Sequence, residues 1–249
     1  MFHWKKLGKI FNPQDAHGIR WIQEYAQAPS VIVFDTFIRI YFSTRQSLDA
    51  NGQYVSYAAF IDVDRKNLFK VINISKKQVL SLGNTGAFDQ FGTYPLSVIK
   101  KGKELVGYYG GWTRCESVPF NVAIGMAKSK DNGEHFVKVG EGPVLSYDPD
   151  EPFILSGPKI RTFHNRLYLW YIAGKKWLEN SGMPEPVYKI RMATSDNGKD
   201  WQKQNRDLIE SKLEKNECQA SPDVFFYKNL YHMFFCYRYS LDYRGKEKG

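Results

Sequence analysis

The feature that most constrains the fold of this chain is an internal repeat of about 64 residues. Each repeat begins with a proline, continues with an apolar run and a polar turn, and then reaches a pair of aromatic residues. The four prolines, which stand 66, 63 and 64 residues apart, are Pro29, Pro95, Pro158 and Pro222. Two apolar runs around a short polar tip are typical of a β-hairpin, so the repeat predicts four similar hairpins.

A second pair of strands is predicted after each of the first three hairpins. In the second and third repeats one spacing recurs, from Ser or Thr to Asp, Gly and an aromatic residue: Ser129, Asp131, Gly133 and Phe136, then Thr194, Asp196, Gly198 and Trp201. Asn and Gly adopt positive φ at little cost, so these segments favour tight turns that Asp131 and Asp196 stabilise. Four antiparallel strands per repeat are typical of a β-propeller blade. A β-sandwich is the alternative, but it does not explain the period.

These patterns predict a single all-β domain over residues 1–249, a β-propeller of the five-bladed type with about four blades present. The expected blades cover roughly 17–80, 85–145, 153–209 and 217–249. Residues 3–11 resemble the fourth strands that follow Phe136 and Trp201, and they are expected to form an outer closing strand. Because the last repeat holds only two strands, the sequence suggests a truncated propeller, which we expect to be marginally stable and prone to aggregate through exposed strand edges.

Composition excludes several classes of protein. With 43% hydrophobic and 24% charged residues, the 249-residue chain is not disordered. It contains no run of eighteen apolar residues, which excludes a transmembrane helix, and its N-terminus lacks the apolar stretch of a secretion signal. Three cysteines without a C-x-x-C pair favour a reducing, cytoplasmic compartment. The five histidines have no metal-ligand spacing, so no metal and no cofactor are predicted.

The net charge of +9 leaves two interpretations open. One is a polyanionic partner such as nucleic acid, and the other is a solvated basic surface. Lys and Arg are spread along the chain and no nucleic-acid-binding motif is present, so the sequence favours the solvated surface, with neither nucleic acid nor membrane as a partner. A small anionic ligand is compatible with both interpretations. The oligomeric state is left open.

A family resemblance adds to these patterns. The proline-started first strands, the Tyr-Tyr-Gly-Gly-Trp second strand at 108–112 and the third strand that ends in Asp-Asn-Gly resemble the five-bladed propellers of glycoside hydrolase families 43, 32, 62 and 130 over residues 17–239. The resemblance implies a carbohydrate site in the funnel at one end of the propeller axis. It also implies three acids, as base or nucleophile, pKa-tuning group and general acid, one or two positions before the prolines.

This chain departs from that pattern. The residues directly before the prolines are not acidic: Gln27 and Ala28, Thr93 and Tyr94, Ser156 and Gly157, and Ala220 and Ser221. Carboxylates recur farther upstream, since Glu24 and Glu217 stand five residues before their prolines and Asp89 stands six before its own. The third repeat has Phe153 at that position, with Glu151 outside the spacing.

First strands of all blades start at one funnel mouth, so these upstream acids are expected to lie around one pocket. Asp89 and Glu217 are then the candidates for acid and base, and Glu24 for positioning or tuning them. The alternative is that all three lie on solvated loops or pair with arginines.

Second strands end at the same mouth, where basic and aromatic residues recur. Arg45 and Arg238 both stand 16 residues after their prolines, and Arg114, Trp112 and Trp177 lie at nearby offsets. Guanidinium groups bind carboxylate or phosphate bidentately, and aromatic faces stack on sugar rings. The expected substrate-binding set adds three polar residues at the starts of the first strands, Gln27, Thr93 and Ser156. The alternative is that Arg45 and Arg238 only neutralise Glu24 and Glu217.

The sequence therefore predicts a carbohydrate-active, glycosidase-like protein. It would act on or bind a sugar in the propeller funnel, with anionic and activated sugars among the candidates. A non-catalytic propeller that binds a glycan or a protein is the alternative. Acids that face the funnel within about 5 to 10 Å of one another would favour the enzyme.

Overall fold

The computed structural model describes residues 2–241 and residue 243. These residues form fourteen β-strands and one short 3-10 turn, Pro13–Asp15, with no α-helix among them. None of the described segments has the length and apolarity of a membrane-crossing helix. The all-β fold expected from the repeat is confirmed.

The strands form three sheets, of eight, four and two strands. The eight-stranded sheet consists of two antiparallel four-stranded units joined by a single parallel bridge, so we distinguish four antiparallel units and call them blades one to four in chain order. Blade one contains β1 (Glu24–Val33), β2 (Phe37–Arg45), β3 (Ser56–Asp64) and β4 (Val71–Ile74). Blade two contains β5 (Gly92–Lys101), β6 (Glu104–Thr113), β7 (Asn121–Ser129) and β8 (Val137–Lys138). Blade three contains β9 (Leu155–Phe163), β10 (Arg166–Asn180), β11 (Met183–Ser195) and β12 (Gln202–Lys203). Blade four is the hairpin of β13 (Cys218–Tyr227) and β14 (Leu230–Arg238).

The four predicted hairpins are present. The tip between β9 and β10 is His164 and Asn165, both at positive φ. Phe136 and Trp201 directly precede β8 and β12, although each of these fourth strands has only two residues. Blades one and two are also joined by one parallel bridge between Ser56 and Gly92.

The turn of blade three is stabilised by a different residue from the one expected. In blade two, Ser129 and Asp131 hold the turn, because the Ser129 Oγ accepts from the Gly133 amide and the Asp131 carboxylate accepts from the His135 amide. In blade three the corresponding groups are Ser195 and Asn197. The side chain of Asp196 is 87% exposed, since the equivalent turn is shifted by one residue. The expectation for Asp131 is confirmed and the one for Asp196 is wrong.

The core lies between neighbouring blades and is completed by a repeated contact. The Tyr41 hydroxyl of blade one donates to the Gly133 carbonyl of blade two at 2.9 Å, and the Tyr108 hydroxyl of blade two donates to the Gly198 carbonyl of blade three at 2.9 Å. Both glycines have positive φ, and a Cβ at Gly133 would overlap the Tyr41 hydroxyl. The aromatic residue that follows each turn, Phe136 or Trp201, packs edge-on against the same tyrosine.

First strands of successive blades also lie side by side. The Ser30 and Ser97 hydroxyls accept hydrogen bonds from amides of the next blade, at Val98 and Ile160. At the corresponding position of blade three, the Lys159 ammonium lies 2.9 Å from the Asp223 carboxylate of blade four and donates to the Pro29 carbonyl of blade one. Lys159 therefore links three blades near the middle of their first strands.

The N-terminal segment forms no strand in residues 2–12. It nevertheless lies against the last blade, because the Phe2 ring contacts Phe225 and His232 and the Trp4 ring contacts Phe234 edge-on at 5.1 Å. The structure thus differs from the expected closing strand in backbone pairing, while the aromatic residue at its start contacts blade four.

Candidate functional site

The strand ends that were expected to share one mouth do so within their blades. Glu24 pairs with Arg45 across β1 and β2, and Gly92 pairs with Trp112 across β5 and β6. In blade four, Cys218 pairs with Arg238. Antiparallel pairing brings the start of a first strand beside the end of the second, which is why the recurring offsets from proline predicted this geometry.

A cavity of about 370 Å³ opens at this mouth between blades one and two, and we call it the mouth pocket. Three of the expected substrate-binding residues, Arg45, Trp112 and Arg114, line it together. The rest of its wall comes from β3, β5, the residue before β5, the end of β6 and the loops that follow β2 and β6: Gly52, Gln53, Tyr54, Ser56, Phe91, Tyr94, Thr113, Pro119 and Phe120.

Arg45 is partly buried in this pocket and is surrounded by hydroxyl groups and aromatic rings. Its Nε donates to the Ser56 Oγ at 3.2 Å and its Nη2 donates to the Tyr94 hydroxyl at 2.8 Å. The guanidinium carbon lies 5.1, 5.0 and 5.7 Å from the ring centres of Tyr25, Tyr54 and Tyr94. The register pairs Arg45 with Glu24, but no ion pair within 4.0 Å joins these two described residues.

Aromatic rings form one wall of the mouth pocket. The Trp112 ring stacks on the Tyr94 ring with 5.0 Å between centres and 8° between planes, and its Nε1 donates to the Tyr94 carbonyl at 2.7 Å. Phe120 contacts Trp112 on one side and Trp177 on the other. Trp177 lies on the part of the β10–β11 hairpin that extends beyond β9, so blade three contributes to the same aromatic array.

Arg114 lines the pocket but already has an anionic partner. Its Nη2 donates to the Asp49 Oδ2 at 2.6 Å, and its guanidinium lies 4.0 Å from the centre of the Phe91 ring. The amide of Gln53 and the side chain of Arg114 both donate to Asp49 and lower the pKa of that carboxyl. The pair therefore closes the loop over residues 49–54 against blade two.

Glu24 is exposed at the start of β1, beside the pocket. Hydrogen bonding to its carboxylate raises the pKa of Tyr54, a residue of the pocket wall. Of the three predicted acids, Glu24 therefore contacts a residue of the mouth pocket and keeps its carboxylate open to solvent.

Asp89 lies in the interior instead. It is 1% exposed, its Oδ2 accepts from the Tyr109 hydroxyl at 2.8 Å, and the Lys138 ammonium lies 2.6 Å away. Burial and the neighbouring carboxylate both raise the pKa of Tyr109, so its hydroxyl remains a hydrogen-bond donor. We call Asp89, Tyr109 and Lys138 the blade-two cluster.

Glu151, which the spacing from proline did not single out, forms the same arrangement in blade three. It is fully buried, accepts from the Tyr171 hydroxyl, and lies 2.8 Å from the Lys203 ammonium and 3.1 Å from the Arg191 Nη1. We call this group the blade-three cluster. The signal was present in the chain, because Asp89 and Glu151 each stand 20 residues before their tyrosines. Counting from the prolines hid this equivalence.

Glu217 is also buried, at 1% exposure, and it holds a loop. Its Oε2 accepts from the amides of Lys212 and Leu213, both at 2.8 Å, and its Oε1 accepts from the Gln219 Nε2 at 2.8 Å. Burial by itself would raise the pKa of Glu217, but these hydrogen bonds outweigh it and hold the pKa below its usual range.

The remaining candidates do not line the mouth pocket. Arg238 binds the Tyr188 hydroxyl and backbone carbonyls of blade four, and no ion pair joins it to Glu217 in the described part of the chain. Thr93 is fully buried, with its Oγ1 3.3 Å from the Leu80 carbonyl. Gln27 is exposed on β1, and Ser156 is buried near the backbone of Gly110.

The mouth pocket thus combines stacked aromatic faces, an arginine whose hydrogen bonds go to uncharged hydroxyls, and a solvent-exposed carboxylate at its edge. Aromatic faces bind the apolar faces of sugar rings, and guanidinium N–H groups bind hydroxyl or anionic oxygens. Asp89 and Glu217, in contrast, are buried, and their carboxylates accept hydrogen bonds from internal donors. The structure therefore brings together the predicted aromatic and basic residues of blades one and two, and it separates them from two of the three predicted acids.

Comparison with solved structures shows the same fold in carbohydrate enzymes. One glycoside hydrolase superposes with a TM-score of 0.65 at 13% identity, over 84% of this chain and 69% of its own. The Bombyx mori GH32 β-fructofuranosidase BmSUC1 gives a TM-score of 0.62 at 18% identity, over 88% of this chain and 42% of its own. Sucrose-6-phosphate hydrolase from Lactobacillus gasseri gives 0.61 at 14% identity, over 87% and 41%. At these identities the likeness shows the fold alone.

Sequence comparison places the chain among closer relatives. No protein-family model matches it. Two Mycobacterium tuberculosis proteins, Uncharacterized protein MT1551 of strain CDC 1551 / Oshkosh and Uncharacterized protein Rv1502 of strain ATCC 25618 / H37Rv, are each 33% identical to it over 237 residues. The match covers 94% of this chain and 76% of each relative. At that identity and coverage, the chain belongs to the same family as the M. tuberculosis protein Rv1502.

Proposed function

We propose that this protein binds a carbohydrate in the mouth pocket, including sugars in an anionic or activated form. The observation that carries the proposal is the array of Tyr94, Trp112 and Phe120 in one cavity with Arg45. Flat aromatic surfaces beside a hydrogen-bonding arginine suit a sugar ring, which has apolar C–H faces and a polar rim. The shared fold with glycoside hydrolases supports the same ligand class.

Binding is favoured over hydrolysis by the surroundings of the predicted acids. A glycosidase uses two carboxylates about 5 to 10 Å apart with space for the sugar between them. Asp89 and Glu217 are each 1% exposed and are engaged by internal donors, which favours structural roles for both. A non-catalytic, glycan-binding propeller is therefore the first form of the proposal.

Glycosidase activity is the second form, and Glu24 is the observation that favours it. Its carboxylate is open to solvent and contacts Tyr54 of the pocket wall, so a sugar in the pocket would have one carboxylate at its edge. In this form Glu24 is the carboxylate that acts on the sugar, whereas Asp89 and Glu217, the predicted acid and base, keep their internal partners. Removal of a general acid or base lowers turnover by about a hundred- to ten-thousandfold.

A glycan array followed by titration calorimetry tests the proposal. The protein is expected to bind a subset of neutral, uronic-acid and phosphorylated glycans, and Trp112→Ala is expected to weaken binding by about tenfold or more. Trp4→Ala, which alters an exposed tryptophan outside the pocket, is the matched control. Absence of binding across the array, or equal affinity of wild type and Trp112→Ala, would contradict the proposal. Incubation of each bound glycan with the protein, analysed by mass spectrometry, separates binding from hydrolysis.

A cytoplasmic location remains part of the proposal. Its support is that Cys115 and Cys236 are free and exposed and Cys218 is free and buried. Free exposed thiols persist in reducing compartments.

A further inference from the structure

We infer that the mouth pocket selects sugars that carry a negatively charged substituent, a carboxylate or a phosphate, and that Arg45 binds this group. The inference rests on the proposed function, because it names the class of carbohydrate that the same pocket takes. Carboxylate and phosphate groups are recognised by a guanidinium in the same way, because each offers two oxygen atoms that accept hydrogen bonds from two parallel N–H groups.

The first argument is that Arg45 has no carboxylate within ion-pair distance in the part of the chain that the structure describes. Four other partly or fully buried arginines do have one: Arg39 with Asp62, Arg114 with Asp49, Arg161 with Asp223 and Arg191 with Glu151. Arg238, which is also partly buried and has no described carboxylate partner, differs from Arg45 in donating to two backbone carbonyls and in lying outside the cavity. The partners of Arg45 are the Ser56 and Tyr94 hydroxyls, which leave its positive charge uncompensated. A charge taken partly out of water is stabilised by an opposite charge, and a bound anion would supply it.

The second argument is geometric. A guanidinium has five N–H groups. The described contacts of Arg45 use its Nε–H and one hydrogen of Nη2, so the other N–H groups remain available to a ligand in the cavity that Arg45 lines. The rings of Tyr25, Tyr54 and Tyr94 hold the guanidinium from three sides, which reduces the side-chain entropy that binding must overcome.

The third argument concerns the other charges at the pocket. None of the residues that line the cavity is acidic. Asp49, just behind the wall, is engaged by Arg114, so that pair contributes little net charge. Glu24 pairs with Arg45 in strand register, but its exposed carboxylate is screened by water and bonds to Tyr54. Among the described residues, Arg45 is therefore the charged group of the pocket that lacks a counterion.

The test uses three glucose derivatives that differ only at carbon 6: glucose, glucuronic acid and glucose 6-phosphate, presented free and as the non-reducing unit of glycans bound on the array. Affinities are measured by titration calorimetry for wild type, Arg45→Gln and Arg45→Lys. The charged members are expected to bind about tenfold or more tighter than the neutral one, and Arg45→Gln is expected to abolish that preference. Arg45→Lys keeps the charge without the planar fork, so it is expected to lie between the two.

The control for net charge is Arg65→Gln. Arg65 follows the far end of β3, is exposed, and bonds to the carbonyls of Phe34 and Asp35 away from the pocket. It is expected to retain the preference for charged sugars. A difference between the glucuronic acid and glucose 6-phosphate arms identifies the anionic group.

The outcomes separate this inference from the proposed function. If neutral sugars bind as well as charged ones and Arg45→Gln changes neither affinity, the inference is overturned while carbohydrate binding stands. If no sugar binds in any arm and no glycan binds on the array, the proposed function fails, and the inference fails with it. Circular dichroism melts of each variant verify that a lost affinity does not come from unfolding.

Discussion

The mouth pocket and the two interior clusters hold similar residue types in opposite electrostatic states. In the blade-two and blade-three clusters, each carboxylate accepts from a tyrosine hydroxyl and lies beside a lysine ammonium, out of contact with water. In the mouth pocket, Arg45 also contacts a tyrosine hydroxyl, but no carboxylate of the described residues neutralises it. A buried charge that the chain itself neutralises stabilises the blade, whereas one that the chain leaves without a counterion is available for a ligand.

The clusters and the mouth pocket also differ in whether they recur from blade to blade. The acid, tyrosine and lysine recur in blades two and three with the same contacts, which favours a structural role in both. The residues of the mouth pocket come from one junction, between blades one and two, and from loops that differ between blades. A binding site breaks the symmetry of a repeat protein, because a ligand contacts one place and not each repeat equally.

The largest fall in the free energy of unfolding is expected for Asp89→Asn, which leaves Lys138 without a carboxylate partner among the described residues. Breaking a buried ion pair from one side lowers the free energy of unfolding by about 3 to 5 kcal/mol. Chemical denaturation measures this change. Asp89→Asn also tests the predicted catalytic role, since the contacts of Asp89 assign it to stability: lost turnover with an unchanged melting curve would contradict that assignment.

A smaller loss is expected for Glu151→Gln. Its partners keep other carboxylates, because Arg191 also binds Asp207 and Lys203 also binds Asp148. We expect the free energy of unfolding to fall by about 2 kcal/mol, the typical effect of leaving a buried polar group poorly matched. The ratio of the two effects is the informative quantity. A larger loss for Glu151→Gln than for Asp89→Asn would show that these second carboxylates do not compensate.

The inter-blade tyrosines are expected to contribute less. Tyr108→Phe removes the hydrogen bond to the Gly198 carbonyl and leaves the shape of the ring unchanged. We expect a loss of about 1 kcal/mol in the free energy of unfolding, and a similar loss for Tyr41→Phe at Gly133. Tyr147→Phe, at a tyrosine that is 48% exposed, is the control and should have no measurable effect. Equal effects at all three tyrosines would show that the inter-blade contact adds nothing specific.

The smallest change in the free energy of unfolding is expected at Asp131 in the turn of blade two, and this change depends on pH. Burial alone would raise the pKa of Asp131, but hydrogen bonds from Ser129 and His135 outweigh it and lower the pKa from 3.8 to about 2. The folded-state pKa lies below the unfolded value, so the stabilisation is present above about pH 4 and is lost as the pH falls toward 2.

Asp131→Asn should therefore remove part of the acid sensitivity of stability between pH 4 and 2 while changing stability at pH 7 by about 0.5 kcal/mol or less, because the side chain is 48% exposed. Melting curves across this pH range provide the measurement. Asp196→Asn, at the 87% exposed equivalent, is the matched control. An identical pH profile for wild type and Asp131→Asn would contradict the assigned pKa.

The sequence predicted the repeat, the strand pairs and the ends at which Arg45 and Trp112 lie, because the alternation of apolar and polar residues and the turn residues determine strand direction. It did not predict where a side chain points. Glu24, Asp89 and Glu217 have similar offsets from proline, yet Glu24 begins β1, whereas Asp89 and Glu217 precede their strands, and only Glu24 reaches the pocket edge. The one-residue shift that moves turn stabilisation from Asp196 to Asn197 has the same origin.

Loop residues of the pocket could not be predicted from the sequence either. Tyr54 and Phe120 lie in loops between strands, where no alternation of apolar and polar residues indicates the direction of a side chain. Their place follows from contacts between distant parts of the chain: Arg114 with Asp49 for the first loop, and Phe120 with Trp177 for the second. Such contacts form only when the blades are assembled.

The division between a structural interior and a ligand-binding mouth is tested most directly by two variants, Arg45→Gln and Glu151→Gln. For each, the free energy of unfolding is measured together with the affinity for the charged sugar that wild type binds best. We predict that Arg45→Gln lowers the affinity by about tenfold or more and lowers the free energy of unfolding by less than Glu151→Gln does. Glu151→Gln is predicted to destabilise the fold and to keep the wild-type affinity at temperatures where the protein is folded. Equal losses of affinity in both variants, or a loss only in Glu151→Gln, would contradict this division.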